Sequence, residues 1–138
     1  HFVIFTRWLL NDYEYIKKEI EHIRDAIDGK TLKVIIETCY LTEEEIIKMT
    51  EICNETFVNF IKTSTGFSEY GARVEDVELI NEYKNEVLEI KASGGIRDIE
   101  TLEAMINAGA TRIGTSSGAK LMEKECDCDE CHCDCEEE

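Results

Sequence analysis

The sequence predicts an α/β fold on a parallel sheet of repeated strand–helix units, and three observations carry that prediction. Short apolar runs rich in β-branched residues recur along the chain, each followed by a stretch of helical periodicity. Two of these runs echo each other: FVNFIKTSTG at 57–66 and VLEIKASGG at 87–95 each end in a lysine that opens a K-x-S-x-G motif. Their lysines, Lys62 and Lys91, stand roughly 30 residues apart with a helical pattern between them, the length of one strand–helix unit. That spacing places both amines at the carboxyl ends of neighbouring parallel strands.

The elements follow in order. The opening run HFVIFTRWLL, 1–10, reads as a strand with His1, Val3, Phe5 and Arg7 on one face. Residues 12–28 carry Tyr15, Ile16, Ile20, Ile23 and Ile27 as a helical stripe, with Gly29 as the stop. The next strand, 32–38, sets Leu32, Val34 and Ile36 on an apolar face and Lys33, Ile35 and Glu37 on the other, where Lys33 and Glu37 join a polar network or a plain ion pair. Thr42 followed by three glutamates is a capping box for a helix ending near Asn54. In the strand 57–63, alternation puts Val58, Phe60 and Lys62 on one face, so the amine emerges above an apolar layer. A polar loop with two glycines, 64–73, shapes the mouth of a pocket and leads to a helix at 74–83.

The strand 87–91 brings Glu89 onto the Lys91 face, either to pair with a lysine or as a mark of relaxed selection. Gly94, Gly95 and Arg97 form a small-residue turn before a helix capped by Asp98, and such a turn with its arginine suits an anion. Past Gly109 a short strand, 111–114, reaches Ser116, Ser117 and Gly118, which open another helix. Two plain glycine turns are the alternative reading of this region.

The lysine pair is a chemical statement. Two ammonium groups about 6 Å apart at an effective dielectric of about 20 repel by roughly 3 kcal/mol, enough to lower one pKa by about two from about 10.4. Burial above an apolar layer works in the same direction. A partly neutral amine attacks carbonyl carbon and yields a Schiff base. A strand-end lysine in a salt bridge is the other reading that spacing alone leaves open.

Composition bounds the rest. The chain has 138 residues and a net charge of −16, which argues against nucleic acid and anionic membrane surfaces as partners. Neither a secretory leader nor a membrane-length apolar run stands out, and a cytoplasmic location is expected. Much of the negative charge falls in 123–138, where nine acids face one lysine. Cys39 and Cys53 are expected to be reduced packing residues. The other five cysteines, Cys126, Cys128, Cys131, Cys133 and Cys135, crowd into the tail around His132. Three readings of that tail compete: a soft-metal site for zinc or copper(I), a solvated acidic tail, and a low-complexity artefact of gene prediction, the last two together preferred.

In wording as well as spacing, IKTSTGF, EIKASGGIR and ATRIGTSSG resemble the last three strand ends of the deoxyribose-phosphate aldolase family. LLNDYEYIKKEIEHIRDAI and LKVIIETCYLTEEEI are similar to the two units before them, so the resemblance runs from residue 1 to about Met122. It implies a TIM (β/α)8 barrel, here a partial barrel of about five strand–helix units over 1–122, followed by the cysteine-rich tail. A complete barrel of this kind takes roughly 250 residues, so a fragment is expected.

The family's reaction cleaves 2-deoxy-D-ribose 5-phosphate to D-glyceraldehyde 3-phosphate and acetaldehyde through a lysine Schiff base, with no cofactor. The resemblance implies Lys62 as the Schiff-base lysine, Lys91 as the neighbour that lowers its pKa, and Gly66, Gly94, Gly95, Arg97, Ser116 and Ser117 as the substrate-phosphate region. The implied partner is a small phosphorylated sugar, and open sheet edges make a homo-oligomer or a second half-barrel a further expectation.

The lost family aspartate, Arg7 and Glu89 stand against full activity. The family's aspartate, asparagine and glycine are replaced by His1, Phe5 and Arg7. An inactive fragment or pseudoenzyme, another Schiff-base aldolase on the same barrel, and a soft-metal-binding protein using the tail are the competing readings.

Overall fold

The computed structural model describes residues 12–123. The strand expected at 1–10, with His1 and Arg7, and the cysteine-rich tail lie outside the described residues. Within them the chain alternates as expected: α1 (Tyr13–Ala26), β1 (Lys33–Ile35), a 3-10 turn (Thr38–Tyr40), α2 (Glu43–Glu55), β2 (Phe60–Lys62), α3 (Val74–Tyr83), β3 (Glu89–Ser93), α4 (Ile99–Asn107), β4 (Arg112–Gly114) and α5 (Gly118–Glu123). The four strands form one parallel sheet in the order β1-β2-β3-β4, as sequential strand–helix crossovers require.

The core lies between one face of this sheet and the helices. Val34, Ile61 and Ile90 from the strands, with Leu32 and Ile36 flanking β1, meet Ile16, Ile20, Ile46, Met49, Ile52, Val77, Ile80 and Met105 from the helices, all buried in one cluster. Each such side chain withdrawn from water contributes about 1.5–3 kcal/mol, before the entropy of ordering it. The outward face expected for Leu32, Val34 and Ile36 is therefore the one observed. Cys53 is buried in the same cluster, and burial pushes its thiol pKa up to about 12.

Local chemistry sets the element ends. Asp12 caps α1 by accepting from the Tyr15 amide, Asp98 caps α4 through the Thr101 amide, and Thr42 with Glu45 forms the reciprocal capping box of α2. At the foot of the sheet the Arg24 guanidinium donates to the Phe57 carbonyl, to Asn59 Oδ1 at 2.9 Å and to the Lys30 carbonyl at 3.0 Å. Asn59 Oδ1 also accepts from the Leu32 amide at 2.8 Å, so α1, β1 and β2 share one polar anchor.

Three expectations about faces need correction. Tyr15 is 41% exposed, and Tyr13 packs against the core in its place, because the stripe of α1 centres on Ile16 and Ile20. Val58 does not share the Lys62 face: it packs in the helix-side cluster with Ile61. The chain bends at Asn59 and β2 starts only at Phe60, so alternation cannot be extended back to Val58. Val87 is likewise outside its strand and 68% exposed, because β3 starts at Glu89 and runs on to Ser93.

Candidate active site

Parallel pairing brings the two lysines together. Lys62, the last residue of β2, is the ladder partner of Lys91 in β3, and Lys91 is in turn the partner of Arg112 in β4. The ladder continues past Lys62, whose carbonyl accepts from the Ile36 amide at 3.0 Å, while the Thr63 amide donates to the Lys91 carbonyl at 3.1 Å. Beyond the lysines the two serines of the K-x-S repeat turn inward and are buried. Ser93 Oγ donates to the Ser64 carbonyl at 2.6 Å, the Ser93 amide donates to Thr63 Oγ1 at 3.2 Å, and Ser64 Oγ donates to Thr63 Oγ1 at 3.2 Å. Every polar atom named here has a partner, so the network holds the strand ends, and with them the lysines, in fixed register.

The amines open into a cavity of about 560 Å³. Its wall includes Lys62, Gly66, Lys91, Gly94, Gly95, Arg97 and Ser116 from the expected site, with Thr65, Phe67 and Ser93 beside them. Ser117 stands outside that lining, its amide donating to Thr115 Oγ1 at 3.0 Å. Burial, and then the positive charge of Lys91, hold the Lys62 pKa below its ordinary value, while Glu37 pulls the other way. Lys33 is also held low, by burial first and then by Lys91, Lys62 and Arg112, so four cations share this face of the sheet. Gly114 makes room for one of them: a Cβ there would meet Ser93 Cβ at 2.8 Å and Lys91 Cε at 3.1 Å.

The expected partnership of Lys33 with Glu37 does not form. Glu37 is buried, 3% exposed, and turns to the loop after β2, accepting from the Thr65 amide and from Thr65 Oγ1. Glu89 does not pair with a lysine: it sits at the exposed foot of β3, two residues before Lys91, and accepts from Thr111 Oγ1 at 2.9 Å. Thr65 is the residue that sequence reasoning passed over. It occupies the second variable position of the K-x-S-x-G motif, and its place between the serine and the glycine was the available signal.

Comparison with known proteins settles the relationship. The "Deoxyribose-phosphate aldolase" of Mannheimia succiniciproducens is 50% identical over 121 residues, covering 87% of this chain and 54% of that protein. The chain belongs to the deoxyribose-phosphate aldolase family. It does so over part of the family's length, for it spans about half of the curated relatives it matches. Among solved structures, "QR15, an Aldolase" superposes with a TM-score of 0.80 at 46% identity, covering 87% of this chain and 54% of its own. A putative deoxyribose-phosphate aldolase from Coccidioides immitis gives 0.82 at 37% identity, covering 89% and 50%. No family model matches the chain. The parallel sheet described here is thus part of the TIM barrel on which these aldolases are built, and the two lysines lie at its carboxyl end, where barrel enzymes place their chemistry.

Proposed function

We propose that this chain carries the imine-forming part of a 2-deoxy-D-ribose 5-phosphate aldolase site. One observation carries the reading: Lys62, its pKa held low by burial and by the adjacent Lys91, opens into a cavity rimmed by two glycine turns and Arg97. The neutral amine adds to C1 of the open-chain aldehyde, and loss of water leaves the iminium. The C3 hydroxyl gives up its proton, the C2–C3 bond breaks, and its electron pair flows into the iminium, releasing D-glyceraldehyde 3-phosphate and an enamine. Protonation at C2 and hydrolysis then release acetaldehyde and free Lys62.

Lys91 keeps Lys62 partly neutral by its charge. Gly66, Gly94, Gly95, Arg97 and Ser116 face the end of the cavity where backbone amides and a guanidinium suit the phosphate, with Ser117 just behind them. A small phosphorylated sugar as substrate, a cytoplasmic location and self-association through open sheet edges belong to the same reading.

The test is borohydride trapping with 2-deoxyribose 5-phosphate, read by intact mass and peptide mapping. An adduct on Lys62 that is lost in Lys62→Ala supports the proposal. A folded sample that traps nothing on Lys62 sinks it, and leaves a member of the family without the family's chemistry.

A further inference from the structure

Glu37 stands out once the cavity wall is traced back to what holds it. Its backbone lies in the left-handed region at φ +50, its side chain is buried, and it comes from β1's end, not from either lysine strand. A left-handed backbone disfavours any residue with a Cβ, and a buried carboxylate is tolerated only with partners. Its partners all belong to one residue across the sheet. The Thr65 amide donates to Oε1 at 3.2 Å and to Oε2 at 3.1 Å, and Thr65 Oγ1 donates to Oε2 at 2.7 Å. With its proton committed to Glu37, Thr65 Oγ1 accepts from the Phe67 amide at 3.3 Å, which folds the turn over Gly66 at φ +97.

The far end of the same loop is pinned to the next turn. The Ala72 amide donates to the Ser93 and Gly94 carbonyls at 3.0 and 3.1 Å, and a Cβ on Gly94 would lie 3.3 Å from Gly66 Cα. Thr65, Gly66, Gly94 and Gly95 all line the cavity.

We propose that Glu37 is a positioning residue for anion binding: it clamps Thr65 and thereby sets the Gly66 turn against the Gly94 turn at the phosphate end of the cavity. The proposal rests on the reading of that end as a phosphate site. Glu37 acts on Lys62 only through its charge, and both of its oxygens accept hydrogen bonds from Thr65.

The test is titration of the full chain with inorganic phosphate, followed by NMR on the Gly66, Gly94 and Gly95 amides, with hydrogen exchange at the Thr65 amide. Glu37→Gly accepts the left-handed backbone without strain while removing the carboxylate, and Glu37→Gln keeps an acceptor oxygen for Thr65. Glu37→Gly is expected to weaken phosphate binding by about tenfold and to speed Thr65 exchange, and Glu37→Gln to stay within about threefold of the parent. Unchanged phosphate affinity in Glu37→Gly overturns the proposal, as does a Glu37→Gln variant as weak as Glu37→Gly with its fold intact. No phosphate response in the parent chain overturns it together with the phosphate reading, whereas phosphate binding without a Lys62 adduct overturns the imine reading alone.

Discussion

At the scale of single residues, a charge and a desolvated pocket decide what an amine can do. Lys62 is held low by burial first and by Lys91 second, so removing Lys91 takes away one of two causes acting in the same direction. In Lys91→Ala the Lys62 pKa therefore rises toward its ordinary value, and the neutral fraction at pH 7 falls. Each rise of one in that pKa costs about tenfold in free amine. Imine trapping by Lys91→Ala is expected to slow by about tenfold at pH 7 and to recover as pH rises, which a pH series of trapping rates checks. A rate that stays low at every pH would show Lys91 acting otherwise than through its charge. The linkage to stability has the same sign: the folded chain binds the Lys62 proton less tightly than the unfolded chain, so this lysine's burden on stability is full below its folded pKa and is relieved as pH rises toward about 10.4.

Elements contribute through their ends. The capping box at Thr42 and Glu45 satisfies two amides at the start of α2, with Thr42 Oγ1 accepting from Glu45 at 3.3 Å and Glu45 Oε2 accepting from Thr42 at 2.8 Å. Thr42→Ala is expected to cost about 1 kcal/mol in urea unfolding, with no change in trapping chemistry, since α2 lies on the far side of the sheet from the amines. Gly71 marks a different kind of end. A Cβ there would fall on the Gly94 carbonyl, so the two loops touch backbone to backbone. Gly71→Ala is expected to cost on the order of 2 kcal/mol and to weaken phosphate binding as well, because the only relief is to push the two turns apart. Calorimetry and the phosphate titration separate it from Thr42→Ala, which moves stability alone.

For the molecule as a whole, the sheet's extent is the controlling fact. Among the described residues β1 and β4 each have a single strand neighbour, and the cation-bearing face of the sheet is the one turned from the helices. Parallel sheets are stable when both faces are covered, and unpaired strand edges invite association. The chain also matches only about half of its relatives' length. The expected outcome is that the chain alone forms the Lys62 imine yet gives no sustained turnover of 2-deoxyribose 5-phosphate. Adding the complementary part of a full-length relative in trans is expected to raise acetaldehyde release by at least about tenfold. Sustained turnover by the chain alone, in an assay of aldehyde release, would show that this chain suffices.

Sequence alone determined the elements whose signals are local. Helical periodicity and caps located α1 to α4, the repeated K-x-S-x-G motif located the ladder of Lys62 and Lys91, and strand ends written as IKTSTGF and EIKASGGIR carried the family. Periodicity works there because the period of a helix and the spacing of a crossover are properties of the chain itself. Only tertiary structure decided what the polar side chains face. A bend at Asn59 breaks the alternation that assigned Val58 to the Lys62 face, and the left-handed backbone of Glu37 breaks the one that assigned it to Lys33. The partner of Glu37 lies 28 positions along the chain, in the loop after β2, and no local pattern encodes a contact closed by the packing of two loops.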